Sequence, residues 1–587
     1  MTTREVLRDR DTGSGLFVIG VWAALFVAAL AFVVKDGPAF PRWDDFALIP
    51  VLTGEQSVTP GWLWSQHNEH RVPLPRLVLL GLLRLSRNDF RAGMFFNVVA
   101  LAAAALASAV VARRRRGAWR ETDAVFALGL LHLGHEANLL WAWQVQFVLS
   151  TALAVGLLLP IVASAGWPLP PTTVGFTALL GLLPLCGANG LALVPALAVW
   201  LAVAGQAQIR QGPSGRKAGV LNLAASALAL GLVAWYFRGY QSSTHHATHG
   251  GLVAALRTSL QFLSLTFGPS AATLWPYSGA FTAGLSVATV GLLLRTLAVR
   301  SDERPRAFGL LAYLGAVGSL GLGLGWGRAG TSGLGGFEPR FVTLAAPLSV
   351  VVYFAWDLYG APSILRRLVP LGLFAALLAL LWPNTAIGLA DGRELAGQAA
   401  RFETEVRSGA PLYQVVKAAS PLLHPSEDVL LKLLPKLHEA RLGVFRFLKP
   451  NPRFHVEALP VEPTEVQLAR WENGTAHVTG VDPQLTFRLP APRFVAGVRL
   501  RYCHSNPEGT PARFKIAWRR PGQTAYLPEQ GASNWNLPTG RDLETTVWVG
   551  DVIRDVRIQP DNQPCDFRLQ TIELLIPQRA PSPGPDL

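Results

Sequence analysis

The chain has 587 residues, half of them hydrophobic and only 15% charged, with a mean hydropathy of +0.30. A soluble domain carries roughly a quarter charged residues, so these values exclude a soluble globular protein and, with the long apolar runs, indicate a multispanning membrane protein. The 52 Lys and Arg against 38 Asp and Glu give a net charge of +14, but the basic residues sit in short loops that set orientation, and no basic, aromatic-interleaved domain points to nucleic acid.

In chain order, Arg4, Arg8 and Arg10 precede the run Gly15 to Val34. It lacks a small-residue cleavage site and reads as a retained first helix with a cytoplasmic N-terminus. The stretch RWDDFALIPVLTGEQSVTPGWLWSQHNEHRVPLPR, Arg42 to Arg76, is then outside. Its apolar end, Val72 to Leu85, is short and punctuated by Pro73, Pro75, Arg76 and Arg84, which predicts a helix lying in the outer interface. The second span, Ala92 to Ala112, ends in Arg113 to Arg116, the strongest inside marker. The third and fourth are Ala124 to Leu140 and Val145 to Ser164, with an outer turn near Trp141 and Trp143. The fifth and sixth, Val174 to Leu185 and Gly190 to Val203, meet at Cys186 to Gly190, a tight turn or a broken helix at membrane depth.

Arg210, Arg216 and Lys217 mark an inner loop before the seventh span, Ala218 to Phe237. An outer loop with His245, His246 and His249 leads to an amphipathic stretch around Gln261, predicted as a second interfacial helix. The remaining spans are Gly279 to Leu294, Phe308 to Leu324, Phe341 to Trp356 and Leu371 to Ile387, with arginine-rich loops again inside. About eleven transmembrane helices result, and the odd count puts everything after them outside. The chain is therefore expected to be mostly α: a transmembrane domain at 1–390, a helical segment at 391–452, a β-sandwich at 453–580 and a disordered tail at 581–587. Ser426 before Glu427 and Asp428 reads as a helix N-cap. Val498, Leu500 and Tyr502, then Phe514, Ile516 and Trp518, then Phe567, Leu569 and Thr571 alternate with other residues as strands do. Cys186 reads as a packed thiol, while Cys503 and Cys565 leave disulfide formation open.

Three constellations carry chemistry. Asp44 and Asp45, beside Trp43 and Phe46, form an acid pair in which burial and like charge raise a pKa, as a general base requires, unless they merely start a solvated loop. His67, Asn68, Glu69, His70 and Arg71 match no zinc motif; Asn and Glu suit sugar hydroxyls and Arg71 suits an anion, against a plain polar loop. Arg328, Glu338 and Arg340 flank a glycine-rich loop that suits a lipid-carrier phosphate or lipid headgroups. His132, His135 and Glu136 read as structural, and Trp62, Trp64, Trp141 and Trp143 as an interface belt. No GK[ST] follows the glycines, so no nucleotide loop is present.

WDDF at Trp43 to Phe46, QHNEHR at Gln66 to Arg71 and GRAG…PRFVT from Gly327 to Thr343 resemble the GT-C class of integral membrane glycosyltransferases, with Phe341 where bacterial members with a GR…RY.T pattern have tyrosine. DVRIQPDNQPCDFRLQTIELLIP is similar to jelly-roll modules attached to some sugar-transferring enzymes. The resemblance implies a cytoplasmic (inner) membrane enzyme that moves a sugar from a polyprenyl-phosphate donor to an extracytoplasmic glycan, lipid or protein acceptor. It implies a catalytic role for Asp44 or Asp45 without choosing between them, a carrier-phosphate site at Arg328 and Arg340, and a substrate loop at His67, Glu69, His70 and Arg71. No cofactor is defined, and a divalent metal is left open. The rival readings are a lipid-linked glycan transporter or flippase, against which no repeat or intramembrane charge speaks for transport, and a membrane-anchored glycan-assembly protein.

Overall fold

The computed structural model describes residues 3–241, 250–330, 334–360, 365–506, 512–528 and 530–578. His245, His246 and His249 lie outside them. The contacts divide into two compact units, Met1–Ala400 and Arg401–Leu587.

The first unit is a polytopic membrane fold. Among the described residues, nine helices are long and apolar enough to cross a membrane, from Asp11–Asp36 to Arg367–Arg407. Nine of the about eleven expected spans are thus long apolar helices among the described residues. The expected third span is broken into Val125–Leu130, Leu133–His135 and Glu136–Leu139. The expected fifth falls within the 17-residue stretch Pro170–Cys186, too short by itself.

Both segments nevertheless run from one end of the unit to the other. At one end Ser14 bonds Glu121 at 2.6 Å, Arg116 pairs with Asp357 at 2.9 Å, Arg306 donates to the Ser164 carbonyl at 2.8 Å and Gln208 to that of Pro168 at 3.0 Å. At the other end Trp141 bonds the Arg42 carbonyl at 3.1 Å, and the Ala188 N–H reaches His70 at 3.3 Å. Segment 121–140 begins at the first end and stops at the second, as does 168–187. Internal helix breaks are tolerated where protein, rather than lipid, surrounds the backbone, and Ala124 to Leu131 are buried.

The helix Pro73–Leu85 has 13 residues and does not cross, as its sequence predicts. The second expected interfacial helix is different. Gly251–Ser264 runs antiparallel to the last turns of Arg304–Arg328, because Gly321 and Gly325 leave room for Leu263 and Ser259. The last crossing helix extends to Arg407, 43 residues in all, roughly 65 Å at 1.5 Å per residue and about twice a hydrocarbon core.

The second unit holds Leu412–Leu423, Glu427–Glu439 and nine antiparallel strands hydrogen-bonded in one sheet. Ser426 caps the second helix by accepting from the Val429 N–H at 3.5 Å. The long strands Gln484–Ser505 and Asp542–Gln559 pair along most of their length. Register shifts at Trp548/Asp551 and Ile553/Asp555 kink them, and one core of Leu485, Phe487, Val498, Leu500, Tyr502, Phe514, Ile516 and Trp518 fills the unit. The predicted alternation fails at Thr571: a bulge between Leu569 and Thr571 shifts the inward positions to Ile572 and Leu574. Tyr413 stacks on Trp548 at 5.4 Å and docks its helix on the sheet. Cys503 pairs with Arg568 and Cys565 with Val478, so the two thiols are apart and free.

Candidate active site

The acid pair lies on a single 3-10 turn, Trp43–Leu48. Asp45 closes that turn by accepting the Arg42 backbone N–H at 3.0 Å while its own N–H donates to the Arg42 carbonyl at 2.9 Å. Trp43 takes φ +49°, a left-handed conformation costing about 1–2 kcal/mol for a residue with a Cβ. The Trp43 ring meets that of Trp141 at 6.2 Å, and Trp141 Nε1–H holds the Arg42 carbonyl, which fixes the strained turn. The two neighbours consequently separate: Asp45 is 1% exposed, while the Asp44 side chain keeps 25% of its surface.

The second element is the hairpin of Gln66–His67 and Arg71–His70 pairing, turned by Asn68 at φ +49°. Arg71 anchors it. Its guanidinium donates to the carbonyls of Trp64 at 2.8 Å, Tyr236 at 3.0 Å and Arg238 at 3.0 Å. Three of its five guanidinium N–H groups thus hold the scaffold. The hairpin carries His67 onto Asp44, Nε2 to Oδ1 at 3.0 Å, and Asn68 donates to the same oxygen at 3.5 Å. The His67 ring packs on Trp143 at 4.9 Å. Trp143 is 1% and Trp62 8% exposed, so neither is part of an interface belt.

His70, on the other strand, accepts the Ala188 N–H at Nδ1. Gly187 permits this approach with φ +114°; a Cβ there would meet Asn189 Oδ1 at 3.0 Å and the His70 Cβ at 3.5 Å. The break suspected at Cys186 to Gly190 therefore serves the hairpin. Arg328 ends its helix and interacts electrostatically with Arg340, Glu69 and Glu338. Arg340 acts in turn on Asp44 and His70. Its Nε is buried without a hydrogen-bond acceptor, the Glu338 carboxylate being 4.0 Å away. Residues from positions 44, 67, 69, 70, 328 and 340, which the sequence offered as three separate constellations, thus share one electrostatic environment.

Charge states follow. Burial pushes the Asp44 carboxyl up, but the His67 hydrogen bond and the charges of His67, Arg340 and His70 outweigh it, leaving the pKa below the ordinary carboxylate value. Asp45 is pushed up to about 8, by burial first, against the Arg42 N–H and charge. Its Oδ1 finds no partner, consistent with a neutral acid. Burial, then Arg328, His67 and Arg340, lower His70 to about 4. At neutral pH Asp44 is ionised and His70 neutral, beside the guanidinium groups of Arg328 and Arg340. Among the described residues no group of three or more His, Cys, Asp or Glu could hold a metal ion.

Sequence reasoning missed the polar belt behind this site. Gln144, Gln146 and Asn189 are buried with unpaired side-chain atoms, and Asn189 donates to the Gln146 carbonyl at 3.2 Å and to Ser150 at 2.6 Å. The polar letters of WQVQ and CGANG inside apolar sequence were the available signal. His135 is satisfied by Thr343 at 2.8 Å and the Gly129 carbonyl at 3.0 Å, as a structural histidine should be. Both ring nitrogens of buried His132 lack partners.

No family model and no curated protein matches the chain. Among solved structures it is similar to the arabinosyltransferase EmbB from Mycobacterium smegmatis, at 13% identity and a TM-score of 0.28, over 95% of this chain and 64% of that one. It is similar to a low-affinity xylan-binding module, CBM86, from Roseburia intestinalis at 13% identity and a TM-score of 0.17, over 21% of this chain and 95% of that one. A rhamnosidase from Klebsiella oxytoca is matched at 12% identity and a TM-score of 0.16, over 22% of this chain and 30% of that one. At these values the likenesses define neither a substrate nor a reaction for this chain.

Proposed function

We propose that the protein is a GT-C-type membrane glycosyltransferase that moves a sugar from a polyprenyl-phosphate donor to an acceptor hydroxyl. The observation that carries this reading is the convergence of an ionised, accessible Asp44, paired with His67, on the two arginines Arg328 and Arg340. A base beside an anion site at a membrane-domain end suits a lipid-phosphate donor and a hydroxyl acceptor.

In the proposed step the acceptor oxygen attacks the anomeric carbon as its proton passes to the Asp44 carboxylate. The anomeric carbon–oxygen bond breaks, and the electron pair leaves with the polyprenyl phosphate, which Arg328 and Arg340 stabilise. The sugar configuration inverts. His67 holds Asp44 ionised and oriented, so the base is the carboxylate of lowered pKa and not the raised one expected from the sequence. Asp45 anchors the turn and takes no proton from the acceptor, because it already carries its own. The arginine-rich loops support a reading in which residues 42–71 lie on the extracytoplasmic face of the cytoplasmic membrane, with the C-terminal domain also outside.

The test is sugar transfer by purified protein from a polyprenyl-phosphate sugar, with Asp44→Asn and Asp45→Asn. Asp44→Asn should lose about 10²–10⁴-fold, the contribution of a general base, while Asp45→Asn keeps most activity. Undiminished transfer by Asp44→Asn would refute the assignment.

A further inference from the structure

We propose that His70 is a neutral hydrogen-bond donor to the carrier phosphate, its Nδ1 held by the Ala188 N–H and its Nε2–H left for a phosphate oxygen alongside Arg328 and Arg340. This rests on the glycosyl-transfer reading above. The proposal starts from the Ala188 contact. A backbone N–H is a fixed donor, so the ring nitrogen facing it must be an acceptor. Nδ1 accepts from Ala188 at 3.3 Å, and a neutral imidazole then carries its proton on Nε2. Among the described residues Nε2 has no protein partner.

The surrounding charges favour the same state. Arg328, Arg340 and His67 all act against a second proton on His70, and Asp44 alone favours it. Asp44 is already bonded to His67. Glu69, the remaining carboxylate on the hairpin, acts on Arg328. Protonating Nδ1 would also set two N–H groups head to head across 3.3 Å.

The chemistry explains the use of such a donor. A polyprenyl-phosphate sugar is a phosphodiester with one negative charge, and the released polyprenyl phosphate gains up to one more. Two guanidinium groups match the product charge. A third cation would hold the product more tightly, whereas a neutral N–H stabilises the developing charge on oxygen without that cost to release.

The experiment uses full-length protein in detergent and measures binding of a polyprenyl phosphate. Glutamine places an N–H near the Nε2 position, and asparagine places an acceptor near Nδ1. His70→Gln should bind within about threefold of wild type, and His70→Asn and His70→Ala should lose about tenfold, the scale of one hydrogen bond to a charged group. With a polyprenyl methyl phosphate, which keeps one charge throughout, wild type and His70→Gln should show the same pH dependence of binding from pH 5.5 to 7.5. Retention by Asn with loss by Gln would make His70 only a support for Ala188 and overturn the proposal. Binding that tightens at pH 5.5 in wild type but not in His70→Gln would mark a cationic His70 and overturn it too. If wild type fails to bind, or Arg328→Ala and Arg340→Ala bind as wild type does, the carrier-phosphate reading itself falls, whatever His70 does.

Discussion

Asp45 gives the most quantitative prediction. Its carboxyl has a folded pKa of about 8 against an ordinary 3.8, at a residue 1% exposed. A raised carboxyl pKa means that the folded chain binds the proton more tightly than the unfolded chain. Its stabilising effect is full below pH 3.8 and is lost as pH rises towards 8. At about 1.36 kcal/mol per unit, the whole swing is about 6 kcal/mol, of which about 4 kcal/mol falls between pH 5 and 8. Asp45→Asn replaces the neutral acid by a group of the same shape that still accepts the Arg42 N–H, so this pH dependence should vanish. The assay is the thermal unfolding midpoint of both proteins in one detergent across pH 5 to 9. The midpoint of the variant relative to wild type should climb steadily with pH up to about 8 and level off above it. Parallel curves would refute the reasoning, because they would mean that Asp45 is ionised in the fold and that the two carboxylates have not been separated.

Three further outcomes follow from the same geometry. His67→Ala removes the hydrogen bond and charge that lower the Asp44 pKa while its burial stays, so the acid limb of the pH–rate profile should move to higher pH, readable in transfer assays. Gly187→Ala puts a Cβ on a backbone at φ +114° and 3.0 Å from Asn189 Oδ1; it should cost about 1–3 kcal/mol and weaken carrier-phosphate binding through His70, measured by unfolding midpoint and binding together. Arg116→Ala removes the guanidinium that meets the buried Asp123 and Asp357 carboxylates at 2.6 Å and 2.9 Å, leaving Asp123 to the Tyr353 hydroxyl and Asp357 to Arg120. The loss should be about 3–5 kcal/mol, with phosphate affinity unchanged in the folded fraction, because the network lies at the opposite end of the unit.

The crossing helices were legible because lipid demands long apolar runs, and each such run from Gly15 to Val34 onward left its mark. The breaks at Leu131 and Cys186 were not, since a helix shielded by neighbouring protein can stop without losing its apolar character. Asp44, His67, His70, Arg328 and Arg340 stood out individually as polar residues outside apolar runs, but their convergence did not. Nor was the division of labour among them legible. Adjacent Asp44 and Asp45 look alike as letters, and the turn around a left-handed Trp43 sends one to solvent and the other inward. The structural share of Arg71 was not legible either: a sequence does not record that three carbonyls take three of its five N–H groups. Thr571 was placed by a period of two that a bulge resets.

The arginine block at 113–116 divides its work in time. Arg113, Arg114 and Arg115 remain exposed, and their charge is read while the nascent chain is being threaded into the bilayer. The Arg116 side chain is 7% exposed and bolted to Asp123 and Asp357; Asp123 is only seven positions away, but the bond to Asp357 forms only once a residue 241 positions downstream has arrived to meet it. Neutralising the first three arginines tests how the chain is inserted, and neutralising the fourth tests whether the inserted bundle closes. A charge-swap experiment on the whole block would mix the two and report a folding defect as a change of orientation.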